Sequence, residues 1–324
     1  MDRSVKLAFE PSVRLSSRVG LGHWRRPGGV AGLALAFCLL AAPAFADSSS
    51  PLLAAYYDRQ MAIIDGAAYV WQGSSRPKRV VTDAVQVGVG RTNYYVLTSS
   101  GDLLGYRDGF SQPETVISGV ARFAAGRTGV LAIKPDGTLW WIDKLSRKAV
   151  KIAEDVHKAA VGDGANYYIT KSGALYVRGK AHRGQYGDGR LATTENFVTT
   201  ASQVSQITAH TGHAILLKKN GDVLGTGGNI YGPVGKYGLG DKAIRWSKIL
   251  SGATAIATGS SHSLAIRKDG TLYAWGSEYG TEPVAILDKV LAVAAGSSTT
   301  IALTQDGILW QWKRGGKPRA HSLD

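Results

Sequence analysis

The chain has 324 residues, of which 44% are hydrophobic and 19% are charged, and its formal net charge at pH 7 is +14. This length allows one or two domains and a core large enough to be stable without disulfides. Because the single cysteine, Cys38, lies in a segment that we expect to be removed, disulfides and thiolate chemistry are excluded for the mature chain.

The N-terminal residues have the pattern of a targeting segment. Arg25 and Arg26 precede an apolar stretch from about residue 30 to residue 42, and Ala44-Phe45-Ala46 places small residues where a signal peptidase cleaves. The apolar stretch is shorter than the roughly 20 residues of a membrane-spanning helix. We therefore predict a signal peptide with an extended charged region over residues 1–46, cleavage near Ala46, and a periplasmic or secreted chain. General secretory and twin-arginine export both stay open.

Beyond the targeting segment, one unit repeats seven times. Each unit has an apolar strand, a small-residue turn, a second apolar strand, a tight turn and a third strand rich in aromatic residues. Gly-to-Gly distances between successive tight turns are 35 to 37 residues, except for two of 48 and 49. A period of this size, built from short strands, is typical of propeller blades. The tight turns, which we expect to be two-residue hairpins, are Asp65-Gly66, Ser100-Gly101, Asp136-Gly137, Ser172-Gly173, Asn220-Gly221, Asp269-Gly270 and Asp306-Gly307.

Apolar positions recur in register around each tight turn. Their period of two predicts strands that bury one face. A glycine also recurs eleven positions before the turn glycine, as in Gly90, Gly126 and Gly259, where we expect a crowded inner rim. The apolar column before the turn is Leu97, Ile133, Ile169, Leu217, Ile266 and Leu303, and the column after it is Ala68, Leu103, Leu139, Leu175, Val223, Leu272 and Leu309.

Residues 259–276 (GSSHSLAIRKDGTLYAWG) and 296–312 (GSSTTIALTQDGILWQW) resemble the regulator of chromosome condensation repeat family, and the resemblance extends over about residues 52–324. It implies an all-β fold, a seven-bladed β-propeller with four-stranded blades, and one domain over residues 47–324. The blades are expected at about 52–83, 84–119, 120–155, 156–202, 203–252, 253–289 and 290–324. Trimmed repeats resemble those of compact exported members, some of which bind proteins through one rim of loops. The founding eukaryotic member acts on a small GTPase at chromatin.

The sequence offers little catalytic chemistry. His213 and His262 occupy the same column of the repeat, so we expect each to hydrogen-bond to a neighbouring blade. Asp136, Asp269 and Asp306 belong to tight turns, where we expect their carboxylates to be held by turn geometry. No nucleophile elbow and no metal-ligand spacing is present. We therefore expect a non-catalytic protein with no metal and no cofactor. A hydrolase or lyase with its site in the central channel is the alternative.

Two repeats are about twelve residues longer and carry glycine-rich loops near residues 180–200 and 228–247. Aromatic and guanidinium groups in such loops often form interface hot spots, whereas in this family such loops also pack against neighbouring blades. Both interpretations stay open for the tyrosines. The candidate binding residues are Arg183, Tyr186, Tyr231, Lys236, Tyr237, Arg245 and Trp246.

The positive charge leaves more than one partner class open. Clusters such as Lys313-Arg314 with Lys317 are explained by solvated blade surfaces or by attraction to polyanions. The preferred interpretation is an exported, monomeric binding module that holds a protein partner or an acidic envelope polymer. Nucleic acid is disfavoured, because no nucleic-acid-binding motif is present. Without export, chromatin, DNA or a GTPase would become the candidate partners.

Overall fold

The computed structural model describes residues 52–107, 112–235 and 240–322. Within these residues, 28 strands form seven four-stranded antiparallel sheets, and each sheet takes four consecutive strands. The first strands of successive sheets contact one another, and the first strand of the last sheet contacts that of the first, so the ring is closed. The predicted seven-bladed all-β propeller is confirmed. The part of the chain described here contains no helix long and apolar enough to cross a membrane.

The blades follow one another along the chain, and each runs from the axis to the outer edge. Blade 1 has β1 (Leu53–Tyr56), β2 (Arg59–Ile64), β3 (Ala67–Gln72) and β4 (Lys78–Val81); blade 2 has β5 (Ala84–Val89), β6 (Asn93–Thr98), β7 (Leu103–Arg107) and β8 (Glu114–Ile117); blade 3 has β9 (Arg122–Ala125), β10 (Gly129–Ile133), β11 (Leu139–Asp143) and β12 (Ala149–Ala153); blade 4 has β13 (Val156–Val161), β14 (Ala165–Thr170), β15 (Leu175–Gly179) and β16 (Thr194–Ala201).

The three remaining blades have the same order. Blade 5 has β17 (Val204–Ala209), β18 (His213–Lys218), β19 (Val223–Gly228) and β20 (Lys242–Leu250); blade 6 has β21 (Ala253–Thr258), β22 (Ser263–Arg267), β23 (Leu272–Trp275), a 3-10 turn (Ser277–Tyr279) and β24 (Val284–Leu287); blade 7 has β25 (Val290–Ala295), β26 (Thr299–Thr304), β27 (Leu309–Lys313) and β28 (Arg319–Ala320).

The antiparallel order gives the propeller two unlike faces. One face, here called the loop face, carries the connection from the first to the second strand of each blade and the connection from the third to the fourth. The other, the turn face, carries the tight turn between the second and third strands and the link to the next blade. Residues 180–193 and the described residues 229–235 and 240–241 belong to third-to-fourth connections, so they lie on the loop face.

The repeated apolar columns form the core between blades. Leu97 and Leu103 are almost completely buried, as are the equivalent residues of the other blades. These side chains pack across blade boundaries: Leu97 and Leu103 of blade 2 lie in one cluster with Phe123 and Val130 of blade 3. Burying such a side chain contributes roughly 1.5–3 kcal/mol. The strand register predicted from the period-two pattern is therefore confirmed.

The tight turns differ from the two-residue hairpins that we expected. Only at Asp65-Gly66 do both residues have positive φ, 50° and 75°, as a two-residue turn requires. In the other six turns only the glycine is left-handed, for example Gly101 at 87°. There the glycine N–H donates to the residue three positions earlier, as from Gly101 to the Thr98 carbonyl at 3.0 Å. The extra residue is accommodated by a type I turn followed by a glycine bulge.

Glycines at the inner rim end the first strand of most blades, and each packs against the neighbouring blade. A Cβ on Gly90 would lie 2.8 Å from the Gly126 carbonyl oxygen of the next blade, and one on Gly296 would lie 2.1 Å from that of Tyr57. No side chain fits in such a gap, so the expected crowding is confirmed. In blade 5 the same position holds His210 instead of glycine.

Candidate functional site

A cleft of about 980 Å³ opens on the loop face across blades 5 and 6. Its walls come from the first-to-second-strand turns of these blades, from segment 229–235 and from the 3-10 turn of blade 6. Arg183, from the long loop of blade 4, and Arg314, from blade 7, also line it. The cleft has the volume typical of a small-molecule site, about 300–1,000 Å³, but it is open along the protein surface.

In this cleft the Arg183 side chain packs against two glycines, Gly212 and Gly228, which are here called the glycine floor. Its Nη1 and Cδ atoms lie 3.0 Å and 3.1 Å from the place where a Cβ of Gly212 would stand, and its Cδ lies 3.5 Å from the same place on Gly228. The side chain is exposed. Its main-chain N–H donates to the Gln185 side-chain oxygen at 2.9 Å, which fixes the loop at this residue. The glycine floor thus brings a guanidinium group close to the backbone of blade 5.

Arg314 is held more firmly than Arg183. Its Nη1 donates to the Ser261 hydroxyl at 2.7 Å and to the Ser297 carbonyl at 3.1 Å, and its Nη2 lies 3.8 Å from a Glu278 carboxylate oxygen. These contacts fix the guanidinium between blades 6 and 7. Its positive charge adds to burial in lowering the pKa of His262 to about 3.

Exposed apolar side chains border the cleft. Ile230 and Tyr231 have relative exposures of 71% and 63%, and both line the cleft walls. The Tyr231 carbonyl accepts a hydrogen bond from the Ser277 N–H, which ties this segment to blade 6. An aromatic ring on a fixed backbone, in one cleft with two guanidinium groups, is a combination found at energetic centres of protein interfaces.

The structure brings two of the seven candidate residues, Arg183 and Tyr231, into one cleft, and it places Tyr186 elsewhere. Tyr186 is completely buried in the core cluster between blades 4 and 5. Its hydroxyl donates to the Gly179 carbonyl at 2.6 Å and accepts from the Thr194 N–H at 3.2 Å. Burial raises the pKa of this phenol. Of the two interpretations left open for Tyr186, interface residue or packing residue, the structure therefore supports packing of the glycine-rich loop against the blades.

Arg245 and Trp246 are in contact with the long loop of blade 4 and do not line the cleft. The Trp246 ring fills the space over Gly187, where a Cβ would lie 2.5 Å from its Nε1, and its main-chain N–H donates to the Gly187 carbonyl at 3.0 Å. Arg245 covers Gly189 and donates to the Asp188 carbonyl at 3.4 Å. Lys236 and Tyr237, the remaining candidates, lie outside the described residues.

Comparisons with known proteins agree with the repeat pattern. Residues 253–279, in blade 6, match the family model for the regulator of chromosome condensation (RCC1) repeat. Prp20p of Saccharomyces cerevisiae, whose structure is described with its binding properties to Gsp1p and histones, superposes with a TM-score of 0.67 at 16% identity. The superposition covers 78% of this chain and 83% of Prp20p. The chain thus carries a repeat of the regulator of chromosome condensation type and shares the propeller fold of Prp20p.

Sequence similarity to curated relatives covers only part of the chain. The human E3 ubiquitin-protein ligase HERC2 is 31% identical over 143 residues, which cover 40% of this chain and 3% of HERC2. The secretion-regulating guanine nucleotide exchange factor of Bos taurus is 30% identical over 127 residues, which cover 36% of this chain and 26% of that protein. This chain therefore spans a minor share of both relatives.

The repeat histidines of this RCC1-type propeller link adjacent blades. His213 Nε2 is 3.1 Å from the Ser263 hydroxyl of blade 6, and His262 Nε2 is 3.1 Å from the Thr300 hydroxyl of blade 7. Burial is the main cause that lowers the pKa of both imidazoles to about 3. The prediction that these histidines bond to neighbouring blades is confirmed, and both are neutral at pH 7.

A polar cluster at the axis was not found from the sequence. Tyr56 of blade 1 donates to the Asp163 carboxylate of blade 4 at 2.5 Å, and its ring stacks on His210 of blade 5 with centroids 4.9 Å apart. Blade 1 lies across the ring from blades 4 and 5, so Tyr56 spans the axis. The repeat period shows which face of a strand is buried but not what meets across the axis. The one sequence signal of this cluster was His210, which stands where most blades have glycine.

The axial cluster lies at the loop-face end of the central channel, whose lining includes Tyr56 and His210. The channel has a volume of about 570 Å³ and is lined mainly by alanine, valine and isoleucine side chains of the first strands. Asp163 accepts its hydrogen bond from a phenol rather than from an imidazole. Burial lowers the pKa of His210 to about 4. This geometry joins no base to a nucleophile, because the Asp163 carboxylate orients Tyr56 and the His210 ring is stacked.

Proposed function

We propose that this chain is an exported, non-catalytic protein-binding module that holds its partner in the blade 5–6 cleft. The observation that carries the proposal is the position of Arg183, Tyr231 and Arg314 on one concave surface of the loop face. The apolar side chains would supply contact area, and the guanidinium groups would supply directional hydrogen bonds. The binding of Prp20p, a protein of this fold, to Gsp1p and histones supports a protein as the ligand class.

Export is supported by the N-terminal sequence pattern, with its apolar stretch and the small residues at Ala44 and Ala46. The test is the intact mass of the protein recovered from the periplasm or the medium after expression of the full chain. We expect a chain that begins near Asp47. Recovery of the full-length chain from the cytoplasm would contradict export and would move the candidate partners to those inside the cell.

Binding through the cleft is tested by partner capture with residues 47–324 as bait on an envelope fraction. We compare the wild type with Tyr231→Ala, and with Ile308→Ala as a matched control, because Ile308 is 40% exposed but belongs to the turn face. The proposal requires a protein that the wild type and Ile308→Ala retain and that Tyr231→Ala releases. A partner retained equally by all three proteins would place the interface elsewhere.

A further inference from the structure

Three cations occupy equivalent places on successive blades of the loop face. The third residue of the turn between the first two strands is Gly164 in blade 4, Gly212 in blade 5 and Ser261 in blade 6. Lys180 lies against the first, with its Cδ 2.8 Å from the position of a Cβ, and Arg183 lies against the second at 3.0 Å. Arg314 bonds to the third. A small residue at this place therefore lets a long cationic side chain lie along the turn.

Arg183 is the member of this series with a guanidinium open to a ligand. Among the residues that the structure describes, no side chain and no carbonyl accepts a hydrogen bond from its guanidinium, and it has no ion-pair partner. Arg314 is paired with Glu278, whose side chain is 60% exposed. Glu278 is the single acidic residue among the described residues that line the cleft. The cleft therefore has a surplus of positive charge.

The acidic residues of the repeat turns lie at the other end of the blades. Asp65, Asp136, Asp269 and Asp306 all belong to tight turns between second and third strands, and so to the turn face. The carboxylates of Asp136, Asp269 and Asp306 are engaged locally, as Asp136 is by the Thr138 N–H at 2.8 Å. The separation of the turn carboxylates from the loop-face cations favours an approach by an acidic ligand from the loop face.

We propose that the cleft takes an acidic peptide segment of its protein partner and that the Arg183 guanidinium binds one of its carboxylates. This inference rests on the proposed function and names the chemistry of the partner. The planar guanidinium on the glycine floor presents its donors in the fork that a carboxylate matches. Tyr231 and Ile230 would cover the apolar part of the same segment. Gly212 acts as a positioning residue, because a side chain there would displace Arg183.

The test is fluorescence anisotropy with residues 47–324 and a fluorescein-labelled hexapeptide of alternating Glu and Ala, and with the same peptide carrying Gln for Glu. We expect the acidic peptide to bind, the Gln peptide to bind at least about tenfold more weakly, and added salt to weaken binding. Arg183→Gln should weaken binding of the acidic peptide about tenfold, as loss of a charged hydrogen bond implies. Gly212→Ala should weaken it similarly although every charge is retained.

Arg245→Gln is the matched control, because Arg245 is also an exposed arginine but belongs to strand β20 and lies outside the cleft. Its affinity should stay within about twofold of the wild type, which is a few tenths of a kcal/mol. Gly212 has no left-handed φ, and the atoms that meet its Cβ belong to the flexible Arg183 side chain, so the Ala variant should fold. Melting curves of all variants should overlay that of the wild type.

Three results would overturn the inference: no binding of the acidic peptide at about 1 mM, equal losses for Arg183→Gln and Arg245→Gln, or binding of an oligogalacturonate without binding of the peptide. The third result would assign the cleft to an acidic polysaccharide. If Tyr231→Ala releases a protein partner while Arg183→Gln retains it, the binding function stands and only the acidic chemistry fails. If neither variant affects capture, the proposed function itself fails.

Discussion

The Tyr56 phenol of the first blade donates a 2.5 Å hydrogen bond to the Asp163 carboxylate of the fourth blade. The Asp163 side chain is only 7% exposed, and the Arg127 guanidinium, whose side chain is 46% exposed, lies 4.0 Å from it. This hydrogen bond therefore satisfies a buried carboxylate and joins two distant blades across the axis.

Removing the Tyr56 hydroxyl should destabilise the propeller. Tyr56→Phe leaves the Asp163 carboxylate buried without its donor, which costs about 1–3 kcal/mol, since a buried unsatisfied acceptor loses its full solvation. Urea unfolding measures the loss. Tyr57→Phe is the matched control, because the Tyr57 ring is 41% exposed and its change should cost less than about 0.5 kcal/mol. Equal values for the two variants would show that the cross-axis bond contributes no stability.

Three buried histidines predict how stability depends on pH. Burial lowers the pKa of His210 to about 4 and those of His213 and His262 to about 3, from 6.5 in an unfolded chain. Between these values the unfolded chain binds more protons than the folded one, so the free energy of unfolding falls as pH falls. Above pH 6.5 these histidines are neutral in both states and do not lower the free energy of unfolding. As the pH falls from 6.5 toward 4 and below, they lower it progressively. Each pKa unit corresponds to about 1.4 kcal/mol.

Urea unfolding at pH 7.5, 6.5, 5.5 and 4.5 measures this dependence. The half-buried His321, with a lowered pKa, adds in the same direction. Turn carboxylates such as Asp136 and Asp306 have lowered pKa values, so they lose their contribution only below about pH 4. His213→Asn should make the decrease between pH 6.5 and 4.5 shallower. A decrease that is unchanged in this variant would mean that other groups carry it.

The repeat pattern predicted the fold well because burial in a blade is a local, periodic property. Leu97, Leu103 and Trp275 are buried where their columns place them. The turns were less predictable, because Asp-Gly and Ser-Gly fit both a two-residue turn and a type I turn with a glycine bulge. Only at Asp65 is the residue before the glycine left-handed.

The candidate site could be predicted only in part. Arg183 and Tyr231, two of the candidates from the long repeats, line the cleft, whereas Arg245 and Trp246 do not. Tyr186, like Tyr231, is a tyrosine in a long third-to-fourth connection, yet its side chain is buried in the core. Arg314 was seen as one cation of a surface cluster, because its bond to Ser261 joins positions 53 residues apart. Contacts between blades of this kind depend on ring geometry that sequence spacing does not contain.

Trp275 should be among the most costly residues to truncate. It is completely buried, and its indole N–H donates to the Pro233 carbonyl of blade 5 at 2.9 Å. Trp275→Ala should cost about 3–5 kcal/mol, the range for large aromatic side chains in a core. Trp275→Phe should cost clearly less, because it keeps most of the apolar volume and the Pro233 carbonyl retains its hydrogen bond from Ser263 at 2.8 Å. Urea unfolding of both variants separates the effect of lost side-chain volume from that of the lost hydrogen bond. A decrease in unfolding free energy below about 1 kcal/mol for Trp275→Ala would contradict the role of Trp275 in core packing.

The ring closes without a shared strand, since blades 1 and 7 each use four consecutive strands. Side chains make the closure: Gln311 of blade 7 accepts from the Trp71 indole N–H at 2.8 Å and donates to the Gly73 carbonyl at 2.6 Å. The backbone adds one bond here, from the Ser297 N–H to the Tyr57 carbonyl at 3.0 Å.

Gln311→Ala should therefore weaken the closure by about 1–3 kcal/mol, because it leaves the nearly buried Trp71 indole N–H without an acceptor. Urea unfolding gives the loss, and Gln305→Ala, at an exposed position of the same blade, should change stability by less than about 0.5 kcal/mol. If Gln311→Ala costs no more than this control, the junction depends instead on the stacking of Trp71 on His321, whose rings lie 5.6 Å apart, and on the apolar cluster of blades 1 and 7.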